Sequence, residues 1–90
     1  MNAVGIDVSK GKSTVAILRP GGEVLASPFE VSHNPKELNE LVSLIKSLDG
    51  DSKILMEYTG NYYLPVALFL RKSRLFVSVV NPILVKDYSN

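Results

Sequence analysis

Ninety residues, 46% hydrophobic and 21% charged, allow one small domain and not two. No apolar run reaches the roughly 18 residues of a membrane span, the start lacks the basic stretch and cleavage site of a signal peptide, and zero cysteines exclude disulfides and thiolate zinc sites. The expectation is a cytoplasmic protein without a membrane partner, whose net charge of +1 gives no broad footprint for nucleic acid.

Taken in order, the pattern reads β-β-β-α-β-α-β-α. A short apolar strand covers 2–8, and the turn Ser9-Lys10-Gly11 leads to Ser13-Thr14-Val15-Ala16-Ile17-Leu18, rich in β-branched residues. Arg19-Pro20-Gly21-Gly22 is a turn signal, and 23–31 returns as a third strand. Pro28 predicts that this strand lies at an edge or is interrupted there. Asn34, Pro35 and Glu37 then form a helix start: a cap, a proline at the first position and a capping-box acid. Leu38, Leu41, Val42, Ile45 and Leu48 repeat at helical spacing until Asp49-Gly50.

Residues 53–58 show little polar alternation, as expected of a strand covered on both faces. Thr59-Gly60-Asn61 turns the chain into a second helix. Pro65 belongs in its first turn, and Arg71 and Lys72 fall in its last, where they favour the dipole. A fifth strand covers 75–80, and Asn81-Pro82 repeats the cap-then-proline opening for a third helix.

Hairpin-joined strands followed by strands alternating with helices imply a mixed sheet. Right-handed crossovers put the fourth strand parallel to the first and beside it. This is an α/β, ribonuclease H-like mixed sheet, expected to carry helices on both faces. In duplicated form the same arrangement serves the actin and sugar-kinase ATPases.

Asp7 and Glu57 each stand near the end of an apolar strand. If those strands are parallel neighbours about 4.8 Å apart, both carboxylates emerge at one carboxyl edge, where open α/β sheets bind ligands. Converging carboxylates repel each other, and a divalent cation with a preference for hard oxygen, Mg²⁺, compensates that charge. Two such ions can serve an in-line phosphoryl transfer. The structural alternatives stand beside this: Asp7 closing its turn on the N–H of Ser9, and Glu57 as an ion-paired or exposed acid at a strand end.

Three landmarks, Gly5-Ile6-Asp7-Val8-Ser9-Lys10, Met56-Glu57-Tyr58-Thr59-Gly60-Asn61-Tyr62 and Asn81-Pro82, resemble the DEDD transposases of bacterial insertion sequences. These are the RuvC-like enzymes of the "IS one-ten" class, related to the Piv invertases. The resemblance spans essentially the whole chain, and the glutamate followed by Thr-Gly-x-Tyr is its most specific part.

The resemblance implies a DNA transposase or recombinase that cuts and rejoins DNA through a four-acid, two-ion Mg²⁺ site. Asp7 and Glu57 map to the first two acids, catalytic and metal-binding. The last two belong to a Lys-Ser/Thr-Asp-x-x-Asp-Ala pattern that does not occur by Asn90. Residues 1–90 are therefore expected to be the amino-terminal part of a RuvC-like catalytic domain, inactive alone. Asp87 lacks that context and reads as an exposed helix residue.

The partners implied are DNA, in some members a structured guide RNA, and further copies of the protein assembled on DNA. Lys10, Thr59, Gly60, Asn61 and Tyr62 are candidate DNA or phosphate contacts; their structural readings are a solvated hairpin lysine, helix capping with a permissive glycine, and core packing by one of Tyr62 and Tyr63. Lys12 reads as Lys10 does, and His33, without ligand-type neighbours, reads as a surface residue.

Beside a non-catalytic interaction domain that keeps the fold alone, for which Asp7→Ala and Glu57→Ala would leave the activity of the full-length protein unchanged, two functional rivals share the fold. One is a sugar-kinase or actin-like ATP-binding fragment, whose phosphate hairpin also starts with Gly-Ile-Asp. Val8-Ser9-Lys10 is bulkier than that hairpin requires, and specific ATP binding would discriminate the two. The other is a RuvC-like Holliday-junction resolvase, which differs in product and not in metal chemistry.

Overall fold

The structure, a computed structural model, describes residues 1–58 and 62–80. Strand β1 (Asn2–Ser9) alternates strictly, with Asn2, Val4, Ile6 and Val8 inward and Ala3, Gly5 and Asp7 outward. Strand β2 (Lys12–Leu18) turns Ser13, Val15 and Ile17 to the same interior. It pairs antiparallel with β1, Ser9 opposite Lys12 and Ala3 opposite Leu18. The next turn closes through Arg19 N–H on Glu23 O at 2.7 Å. Gly21 and Gly22 sit there at φ of 93° and 91°, a left-handed region that strains any residue with a Cβ.

Strand β3 (Val24–Ser32) pairs antiparallel with β2 and lies at the sheet edge. Its register slips between the partners of Val15, Ile17 and Leu18. Both expectations for Pro28 therefore hold: an edge strand has no second neighbour needing its missing N–H, and the pairing is interrupted beside it.

Helix α1 (Pro35–Ser47) follows, then β4 (Ser52–Tyr58), α2 (Tyr63–Lys72) and β5 (Val77–Val80). Asn34 caps α1 by accepting the Glu37 N–H at 2.9 Å, and Glu37 reaches back past the cap to accept the Ser32 N–H at 3.1 Å. Pro65 lies in the first turn of α2, as expected. The sheet order is β3-β2-β1-β4-β5, with β4 parallel to β1 and β5 parallel to β4.

The core is one cluster. Val4, Ile6, Val15, Ile17, Ile54 and Met56 meet Leu41 and Ile45 of α1 and Val66 and Leu70 of α2, all nearly inaccessible to water. The two helices touch each other on that face. The expectation of helices on both faces is therefore corrected for the described residues. The chain moves one way across the sheet, from β3 to β4 to β5. Right-handed crossovers taken in one direction deposit their helices on one side.

The same correction applies to β4: Ile54 and Met56 are buried, but Lys53, Leu55 and Glu57 face outward and are exposed. Strand β5 starts at Val77 and not at Leu75, because residues 74 and 75 close α2. Arg74 N–H bonds Arg71 O and Leu75 N–H bonds Leu70 O, the paired bonds of a Schellman ending. The expected third helix lies outside the described residues.

Candidate functional site

Asp7 and Glu57 are register partners on β1 and β4. Parallel pairing puts such partners about 4.8 Å apart in the backbone and points their side chains to the same face. Both are exposed on the face that the helices leave open. Inward neighbours hold each strand rigidly at this point: Ile6 and Val8 flank Asp7, and Met56 precedes Glu57, all at most 2% exposed.

A cavity of about 250 Å³ opens on this face, lined among others by Asp7, Glu57, Thr14, Ala16, Leu55 and Gly5. A Cβ built at Gly5 would meet nothing within 4 Å, so the floor beside Asp7 is open and not filled. Among the described residues neither carboxylate has a hydrogen-bond or ion-pair partner. Of the structural alternatives, a turn closed by Asp7 and an ion pair at Glu57 are not found among the described residues, whereas an exposed acid at a strand end does describe Glu57. The turn is closed instead by Ser9, whose hydroxyl donates to Lys12 O at 3.0 Å.

Two acids are all that converge here: among the described residues no group of three potential metal ligands exists. Two free, adjacent carboxylates nonetheless suit a hard cation that completes its shell with water and phosphate oxygens.

Of the candidate contacts, Lys10 is exposed in the hairpin turn just past the end of β1. Tyr62 stands exposed at the start of α2, whereas Tyr63 packs against the core, the division expected for the pair. Thr59, Gly60, Asn61 and Asp87 lie outside the described residues. Lys12 differs from Lys10, because it is paired with Glu30 at 2.7 Å. That carboxylate accepts a hydrogen bond and holds the ammonium above its ordinary pKa.

The surface reading of His33 is corrected. Its ring is partly buried, and Nε2 lies 2.7 Å from the hydroxyl of Ser13, which is 2% exposed. Its backbone N–H also bonds Gly11 O at 3.0 Å. Burial lowers its pKa, so the neutral ring is favoured. No periodicity signals this pairing, because it joins a loop residue to a strand twenty positions away.

Thr14 is a site residue that sequence pattern does not single out. It pairs with Asp7 across the hairpin and lines the same cavity. The turn at Lys10-Gly11, taken as a hairpin with defined register, identifies it.

The family model DEDD_Tnp_IS110, described as a transposase, matches residues 4–90. No curated protein matches the chain. Among solved structures, the chain is similar to Thermus thermophilus RuvC in complex with a Holliday junction substrate: TM-score 0.65, 13% identity, covering 97% of this chain and 68% of that one. A second structure of Thermus thermophilus RuvC gives a TM-score of 0.63 at 13% identity, over 96% and 67% of the two chains. A ROK family protein from Streptococcus pneumoniae in complex with sucrose gives 0.53 at 19% identity, over 90% and 34%. At these identities the likeness shows the fold alone.

Proposed function

Because the chain belongs to the DEDD transposase family, we propose that Asp7 and Glu57 are the first two acids of its DNA-cutting and DNA-joining site. The single observation that supports this is their register pairing on adjacent parallel strands at the carboxyl edge of the sheet, free of partners among the described residues.

Asp7 and Glu57 would hold Mg²⁺ through carboxylate oxygens, with the remaining ligands from water, from scissile phosphate and from two further acids beyond Asn90. Bound there, a cation would supply charge neutralisation on the transferring phosphoryl group, easing both attack and departure of oxygen. The protein's own contribution is placement. The buried inward faces of β1 and β4 fix the carboxylates from behind, and the missing side chain of Gly5 leaves room for a strand of DNA to approach them. Lys10, exposed past the end of β1, would meet a flanking phosphate. Residues 1–90 are, on this reading, the amino-terminal part of a RuvC-like catalytic domain.

The test is a Mn²⁺ and Mg²⁺ titration of the chain followed by amide NMR. Shifts are expected to centre on residues 6–8 and 56–58. Asp7→Asn and Glu57→Gln should each weaken the response at least tenfold, about 1.4 kcal/mol. Shifts centred elsewhere, or unaltered in both variants, would remove these acids from the metal site.

A further inference from the structure

A second cavity, larger than that beside the acids, lies at the edge of the sheet opposite them. It measures about 610 Å³ and is open to solvent, between the end of α1, the start of β4 and the loop entering β5. Its size falls in the range of ligand sites. Three cationic side chains line it, those of Lys46, Lys53 and Arg74, against one carboxylate, that of Asp51. Among the described residues none of the three cations has an ion-pair partner. Phe76 stands at the same cavity with 66% of its surface exposed.

Arg74 carries a further mark. It occupies the left-handed position within the Schellman ending of α2 at φ 66°, the one described residue other than glycine with a positive φ. Glycine is the unstrained choice there. An arginine at such a place suggests a use for its charge. Lys46 has an ordinary reading, a cation in the last turn of a helix, but that does not account for Lys53, Arg74 and the bare aromatic ring together.

We propose that this cavity binds a single strand of DNA, with backbone phosphates on Lys46, Lys53 and Arg74 and a base stacked on Phe76. Unpaired cations beside an exposed ring are the composition of single-strand sites. The openness of the cavity suits a strand passing over it better than an enclosed mononucleotide. The choice of DNA over RNA rests on the transposase reading; the cavity itself does not depend on Asp7 or Glu57. Counted along β4, it lies about 16 Å from the acids, so one strand spanning both would cross the open face.

The experiment is fluorescence anisotropy with a labelled 12-nucleotide oligothymidylate, in EDTA and across a salt series. Phe76→Ala is expected to weaken binding roughly tenfold and to leave inorganic tripolyphosphate binding unchanged. The double variant K46E/K53E should weaken both ligands and flatten the salt dependence by about 0.7 for each phosphate that is no longer neutralised. Arg74→Gly should weaken binding while raising Tm, which separates reduced affinity from impaired folding. Oligothymidylate binding is read in EDTA and the metal response by NMR, so that failure of the metal site and failure of this cavity are read separately. Absence of oligothymidylate binding, or binding indifferent to Phe76→Ala and K46E/K53E, overturns the proposal. Equal affinity for duplex DNA also overturns it, because a paired base cannot stack on the ring. Tighter binding of oligouridylate assigns the cavity to RNA and overturns the choice of DNA.

Discussion

For single residues, the proposed chemistry depends on freedom from partners. Asp7 and Glu57 would serve a cation because nothing among the described residues satisfies them. Arg74 shows the opposite case, a residue kept at a backbone conformation that disfavours it. Arg74→Gly is expected to raise stability by about 1 kcal/mol, roughly 4–8 °C in Tm for a domain of this size. Calorimetry checks this, and a lower Tm would mean that the side chain makes a stabilising contact. Glu37 gives the pH dependence. The Ser32 N–H first, and then the Asn34 amide, stabilise its charged form and lower its pKa. A depressed carboxylate pKa contributes stability above the ordinary glutamate value, about 4.3, and loses it as pH falls through the folded value. Urea unfolding from pH 6 to about 3 should show Glu37→Gln losing less stability than the parent over that window. Parallel losses would detach the cap from the pH response.

At the scale of elements, the alternation of β4 divides the sheet into two unlike faces. Ile54 is fully buried and Leu55, its neighbour in sequence, is 43% exposed. Ile54→Ala is expected to cost about 2–5 kcal/mol, whereas Leu55→Lys should stay within roughly 0.5 kcal/mol. Equal costs in chemical denaturation would mean that the outward face is packed in solution. Helix α1 depends as much on its entry as on its stripe. Asn34→Ala removes the acceptor for Glu37 N–H and frees the Glu37 carboxylate from its amide partner, so a loss of about 1 kcal/mol is expected, read from the urea midpoint at pH 7. A loss within error would show that Glu37 and Ser32 suffice as the cap.

For the whole molecule, both described helices share one face, and the acids stand on the other. Two carboxylates hold a divalent cation weakly, because each missing ligand must come from water or substrate. The 90 residues alone are therefore expected not to nick supercoiled DNA with Mg²⁺ or Mn²⁺. Nicking that disappears in Asp7→Asn would show that two acids suffice. No described helix is long and apolar enough to cross a membrane.

Much of this was legible in the sequence, because local rules govern it. Strand alternation, the Asn34-Pro35-Glu37 helix start and the glycine turn at 21–22 each act within a few residues, and the element bounds follow them closely. The pairing of Asp7 with Glu57 was also within reach, since right-handed crossovers leave few topologies for such a string of elements. Three features were decided only by the tertiary structure. The side on which the helices lie depends on the direction in which the chain crosses the sheet, so β4, apolar enough for two covered faces, has one. The hydrogen bond between His33 and Ser13 and the gathering of Lys46, Lys53, Arg74 and Phe76 around one cavity join residues far apart in sequence. No periodicity encodes such encounters. They exist because closing the core brings distant loops to the same sheet edge.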